Sequence, residues 1–355
     1  MRRPDLEAGP VPGAGGAADI TLTHTRSPTG PSQRWRAVLA TAGLAVLAAV
    51  VYGTGIRDIW RHIAALGWAA PLILVPSTIR TLVDAAALGV ALPRGHGTPH
   101  IPLMRLNLLR LAGEAINDTT PTGYLGGEPV KAHLITRYGV ATTDAVVAVM
   151  VAKTAIIASQ IVFVVMGLAM YVLNRQDLSH PVAAAAALAA LGLAVIFALV
   201  EAQRRGVVTA CARLAAHLFP RSTLVTRLSA HARGIDDRLA VLYGQDFRVF
   251  LASSALHFAG WLIGVAEVCL ILALIGVPVG LASAFIIESL SGTIRALSFL
   301  IPATIGVQEV GGAVICQMVG VAGAPGMTLM LLKRAREFVF VFLGLMVLAP
   351  HRRRG

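Results

Sequence analysis

Two carboxylates in this chain each precede a cation by the same interval. Glu128 is followed by Lys153, and Glu309 is followed by Arg334. Lys131 adds a second cation one helical turn beyond Glu128. A carboxylate beside a cation can aim that cation at an anionic group, or it can exchange a proton. Both uses require the pair to sit inside a site, since in apolar surroundings a charge is costly and faces a bundle interior or a pathway. Glu114, Asn117, Gly126, Gly127, Arg295 and Gln308 flank the same two stretches and complete the candidate binding set.

The stretches themselves correspond. GEAINDTTPTGYLGGEPVKAHLITRYGVA (113–141) aligns without a gap to IRALSFLIPATIGVQEVGGAVICQMVGVA (294–322). Pro121 meets Pro302, Glu128 meets Glu309, and Gly-Val-Ala closes both copies. Pro121, Pro302 and Gly306 are the expected helix breaks. Irregular backbone at membrane depth survives only where it is buried in protein or faces a water-filled cavity. A broken arm also offers free N–H groups at the start of its second helix, a seat for an anion. A duplicated, interrupted and charged element points to a substrate site between two repeats.

The elements that must position these residues are apolar helices. Hydrophobic residues make up 56% of the chain and mean hydropathy is +0.74, which places it among membrane proteins. Spans of about 20 residues are expected near 37–53, 63–92, 144–173, 181–200, 250–275 and 327–348. The fold class that follows is an all-α integral membrane protein. It has about six transmembrane helices plus two re-entrant helical hairpins (105–137 and 281–323) in an inverted repeat. Residues 1–36 read as a disordered tail, 37–176 as the first repeat, 177–349 as the second, and 350–355 as a basic tail. The connection 203–248 is rich in arginine. It reads either as an amphipathic helix on the membrane surface or as a solvated loop. Placing both termini, 93–110 and 203–248 in the cytoplasm satisfies the positive-inside rule.

Composition also excludes classes. The net charge of +12 lies in short loops and at the ends, so it suits topology and anionic lipid rather than nucleic acid. Cys211, Cys269 and Cys316 are isolated, which gives neither a disulfide framework nor a metal site. No cofactor motif is present. His257 reads as a packed histidine in an apolar run. Arg80 and Asp84, at i, i+4 spacing, could form an internal ion pair. Pairs that merely hold the bundle together are the competing reading for the whole charged set. Lys333 and Arg336 fit an interfacial position as well as a buried one.

At GEAINDTTPTGYLGGEPVKAHLI and PATIGVQE the chain resembles the transmembrane, flippase-like region of the lysylphosphatidylglycerol synthases. The second motif is most similar to the hopanoid-associated members. The resemblance implies movement of a lipid between leaflets of a bacterial inner membrane, with membrane lipids as partners. Lipid-biosynthesis proteins are further candidate partners. It also implies that the soluble aminoacyl-transfer domain is missing, so no enzyme activity is expected. Two alternatives remain: a membrane-embedded transferase acting on lipid-linked substrates, and a scaffold for a lipid-synthesis complex. A His or Asp pair beside a water-filled cavity would favour the transferase, and the sequence displays none.

Overall fold

The computed structural model describes residues 48–49, 51–53, 55–93, 99–120, 126–173, 180–218, 223–297, 306–321 and 323–348. Among them are twelve α-helices and no strand. The expected tails, most of the first span, Pro121 and Pro302 lie outside the described residues.

An amphipathic helix α1 (Ile56–Leu66) leads through a 3₁₀ segment, Gly67–Ile73, into α2 (Leu74–Ala91). Trp60 and Trp68 are exposed on this entry segment, as interfacial aromatics are. Next come α3 (Leu103–Thr119), α4 (Gly127–Thr136), α5 (Thr142–Leu173) and α6 (Pro181–Arg204). Pro181 sits at the start of α6, where its missing N–H is not needed. After α7 (Val207–Leu218) and α8 (Thr223–Gln245) the chain forms α9 (Phe247–Leu274), α10 (Leu281–Leu297), α11 (Val307–Met318) and α12 (Ala324–Leu348).

Four segments are long and apolar enough to cross a membrane: Ile56–Ala91, Thr142–Leu173, Pro181–Arg204 and Phe247–Leu274. Helix α12 has the length, but Lys333, Arg334, Arg336 and Glu337 fall within it. The arms α3, α4, α10 and α11 hold 17, 10, 17 and 12 residues. At about 1.5 Å per residue each is shorter than a hydrocarbon core of about 30 Å. Both motifs interrupt their helices as the prolines and glycines demand. Thr120 is extended after α3, and Gly306 takes φ +84° before α11.

The second arms end alike. Gly139 and Gly320 both adopt the left-handed conformation, with φ of 85° and 88°. Each donates its N–H three residues back, to Thr136 and Gln317. The following Val140 and Val321 are buried. The repeated Gly-Val is therefore one turn built twice, and glycine is needed because other residues strain there.

Packing crosses between the halves. α3 lies against α12, and α10 lies against α5, while α2 and α9 run along each other at the centre. Phe163 of α5 stacks against Trp261 and packs against Phe258 and Phe285, tying α5, α9 and α10 together.

One expectation needs correction here. The 203–248 connection is not a solvated loop; it is helical, as the amphipathic alternative has it, and it packs on the bundle. α7 and α8 pack against each other, and α8 packs against α5 and α6. Ile235, Leu239 and Tyr243 enter a core shared with Val151 and Phe250. Asp236 accepts the Val208 and Thr209 N–H groups at 3.1 and 2.8 Å, capping α7. Arg110 lies inside α3, and its side chain is only 11% exposed.

Candidate functional site

The first motif builds a closed polar cluster where α3, α4 and α5 meet. Lys131 Nζ donates to Glu114 Oε1 at 2.6 Å and to both oxygens of Glu128 at 3.1 Å. Lys153 lies 3.2 Å from Glu128. Asn117 Nδ2 donates to Glu114 and Glu128 at 3.3 and 3.2 Å, while its Oδ1 accepts the Gly127 N–H at 2.7 Å. The arms touch backbone to backbone. A Cβ on Gly127 would lie 2.0 Å from the Gly113 carbonyl oxygen. Gly127 therefore serves close helix approach, and Gly126 caps α4.

The second motif gives the counterpart on α11 and α12. Glu309, 1% exposed, accepts the Gly306 N–H through Oε2 at 2.7 Å and the Arg334 Nε–H through Oε1. Arg334 also reaches Glu337 at 2.9 Å and Gln308 Oε1 at 3.2 Å. Thus Glu128–Lys153 and Glu309–Arg334, matched in sequence, are both formed. Arg295 behaves differently. It donates to Glu337 at 2.7 Å and to Asp118 at 2.9 Å, joining α10 to α12 and α3. The N–H groups expected to seat an anion are already used at Gly127 and Gly306, because Asn117 and Glu309 cap them.

Between the clusters lies a third group. Arg110 Nη2 donates to Asp84 Oδ2 at 2.6 Å, and His257 Nδ1 is 2.9 Å from Asp84 Oδ1. Arg80 reaches Glu288 at 3.5 Å and lies 4.3 Å above the Trp261 ring. The expected Arg80–Asp84 pair is therefore wrong: each residue pairs across a helix interface instead. Lys333 binds Glu288, and Arg336 binds Glu267 and Ser77, each at 2.7 Å. Both cations are buried, which removes the interfacial alternative for them.

These groups surround one cavity of about 660 Å³, a volume in the range of small-molecule sites. Its walls come from both halves of the chain. Arg80, Arg110, Lys131, Lys153, Arg295, Lys333 and Arg336 face Asp84, Glu114, Asp118, Glu128, Glu288 and Glu337. Cations exceed carboxylates by one, so the interior is charge-rich and nearly neutral. Of the residues expected from sequence, Glu114, Glu128, Lys131, Lys153, Arg295 and Gln308 line the cavity. Asn117, Gly126, Gly127, Gly306, Glu309 and Arg334 do not; they brace its wall. Arg110, His257 and Glu337 were not singled out as site residues. The signal available for Arg110 and His257 was weak, since their partner Asp84 lies 26 and 173 residues away, whereas Glu337 has Arg334 one helical turn before it. The Asp84–His257 pair is also the feature that the sequence did not display.

Helices of membrane-crossing length around a charged interior define a multi-spanning membrane protein with a polar site inside its bundle. The chain belongs to the lysylphosphatidylglycerol synthase transmembrane-region family, whose model matches residues 35–344. No curated protein and no solved structure matches it.

Proposed function

We propose that this protein moves a polar-headgroup lipid between the leaflets of a bacterial inner membrane. The observation that carries the reading is the charged cavity, set between helices whose outer faces are apolar. Phe338, Phe342 and Met346 of α12 and Phe197 of α6 are exposed, a surface suited to acyl chains. A headgroup phosphate would enter the cavity while its chains remain outside. Arg295, Lys153 and Arg80, whose side chains are 34%, 22% and 21% exposed, are accessible cations on its wall. The paired arms α3/α4 and α10/α11 act as re-entrant hairpins of an inverted repeat. The recurring glycine turn and the recurring Glu128–Lys153 and Glu309–Arg334 pairs support that arrangement. Both termini and the α7/α8 hairpin face the cytoplasm, following the basic clusters.

The test is headgroup exposure in reconstituted vesicles for wild type, Lys153→Gln and Arg334→Gln. Lys153→Gln is the cleaner variant, because Glu128 keeps Lys131 at 3.1 Å. Its translocation rate should fall at least about tenfold, or about 1.4 kcal/mol in barrier, with the protein still monodisperse. Wild-type rates in both variants would remove Lys153 and the Glu309–Arg334 brace from the mechanism.

A second reading, an embedded transferase, draws on the Asp84–His257 pair at the cavity wall. Mass spectrometry of the recovered lipid separates the two: translocation leaves its mass unchanged, and transfer alters it.

A further inference from the structure

One side chain in the cavity wall carries a buried nitrogen with no partner among the described residues. His257 is 4% exposed, and its Nδ1 lies 2.9 Å from Asp84 Oδ1. The other oxygen of Asp84 accepts from Arg110 Nη2 at 2.6 Å. An arginine stays protonated in proteins, so Asp84 is held as a carboxylate that only accepts. The hydrogen of the contact must then sit on Nδ1, which fixes the tautomer. The neutral ring is left with a lone pair on Nε2. That nitrogen is buried and has no hydrogen-bond partner among the described residues. The ring borders the cavity, which has ample room for water.

A buried acceptor without a partner is unfavourable. A proton delivered by cavity water would turn Nε2 into a donor and make the ring a cation beside Asp84. The surroundings set a condition on that step. Asp84 on α2 and Glu288 on α10 favour the imidazolium. Arg80 on α2, Arg110 on α3, Lys131 on α4, Lys153 on α5, Arg295 on α10, and Lys333 and Arg336 on α12 line the same space and oppose it. Glu114 and Asp118 on α3, Glu128 on α4 and Glu337 on α12 line it too and side with Asp84 and Glu288, which leaves the cations one in excess. An anion entering the cavity would tip the balance, because it offsets the added charge. Binding of the anion and of the proton would then strengthen each other by the same factor.

We propose that Asp84–His257 is the proton-binding site of this cavity, and that Nε2 takes up one proton from water as an anionic headgroup enters. The charge balances: one proton is gained for one negative charge seated, and the proton returns to water as the headgroup leaves. The coupling half rests on the translocation reading given above; the proton site does not.

The whole protein, labelled with ¹⁵N-histidine and placed in phosphatidylglycerol nanodiscs, provides the test. The spectrum should contain a histidine in the Nδ1–H tautomer whose Nε2 gains a proton on acidification. That signal should be missing from His257→Gln. An Nε2–H tautomer at His257, or an Nε2 that stays unprotonated on acidification, overturns the proton site. If that variant does not stay monodisperse, replacing the other nine histidines leaves His257 as the one labelled ring and assigns the signal. In vesicles loaded with phosphatidylglycerol, wild-type translocation should change roughly tenfold per pH unit on the limiting side. His257→Gln should lose that dependence. A variant that keeps the wild-type pH profile overturns the coupling and leaves translocation standing. Wild type that moves no lipid at any pH overturns translocation and coupling together, while the tautomer and titration still decide the proton site.

Discussion

Substituting alanine for Gly127 should separate the two arms of the first motif. An ideal Cβ there would lie 2.0 Å from Gly113 O, 2.7 Å from Gly113 C and 2.9 Å from Asn117 Cγ. Ordinary contact begins near 3.4 Å, so the arms must part by about 1.4 Å. The obstacle is backbone, and no rotamer change relieves it. Such a shift stretches the Gly127 N–H contact with Asn117 and the Lys131–Glu114 contact, now 2.7 and 2.6 Å, to roughly 4 Å, beyond hydrogen-bond reach. Overpacking typically destabilises by about 1–3 kcal/mol, and an orphaned buried N–H by about 1–3 kcal/mol. The two effects overlap, so a loss of about 2–4 kcal/mol is expected. Gly113→Ala should be milder, because its Cβ first meets the flexible Lys131 side chain and lies 2.9 Å from Gly127 O. Gly234→Ala on α8 meets nothing within 4 Å and should stabilise by about 0.5–1 kcal/mol. Thermal unfolding in detergent, followed by tryptophan fluorescence, gives the order. A Gly127→Ala protein that melts with wild type would refute the close-packed crossing.

Glu309→Gln removes a buried charge from Arg334, which keeps Glu337 at 2.9 Å. The loss should sit at the lower end of the range for broken buried pairs, about 3 kcal/mol, measured by the same melts. Burial pushes the Tyr243 phenol from its ordinary 10.0 up to about 12. The folded form therefore holds its proton where the unfolded form releases it. Docking of the α7/α8 hairpin should be intact below pH 10 and weaken between about pH 10 and 12. Hydrogen exchange of residues 223–245 across that window should show the loss, and Tyr243→Phe should flatten it. A cysteine at Ala230 in an otherwise cysteine-free protein should resist impermeant reagents added outside intact cells. Labelling from outside would overturn the cytoplasmic placement of the hairpin.

Much of the scaffold was legible from residue order. The apolar runs placed α5, α6, α9 and α12 to within a few residues, because span length answers to a fixed bilayer thickness. Pro, Gly and charge within apolar sequence marked both helix interruptions. The common interval from Glu128 to Lys153 and from Glu309 to Arg334 anticipated two ion pairs that the fold forms. It did so because the cation sits on the helix that packs directly against the arm carrying the carboxylate. Partner choice elsewhere belonged to the tertiary structure. Arg80 has Asp84 one turn away on its own helix, yet it reaches Glu288, 208 residues distant, and Asp84 turns to Arg110 and His257. Local spacing predicts pairs where both groups stay on one exposed helix face. Within a bundle the pairing follows from which helices cross and which charges that crossing desolvates together. The 203–248 segment followed the same logic. Its leucine spacing suggested a helix, but only the buried face of α5 and α6 decided where that helix would rest.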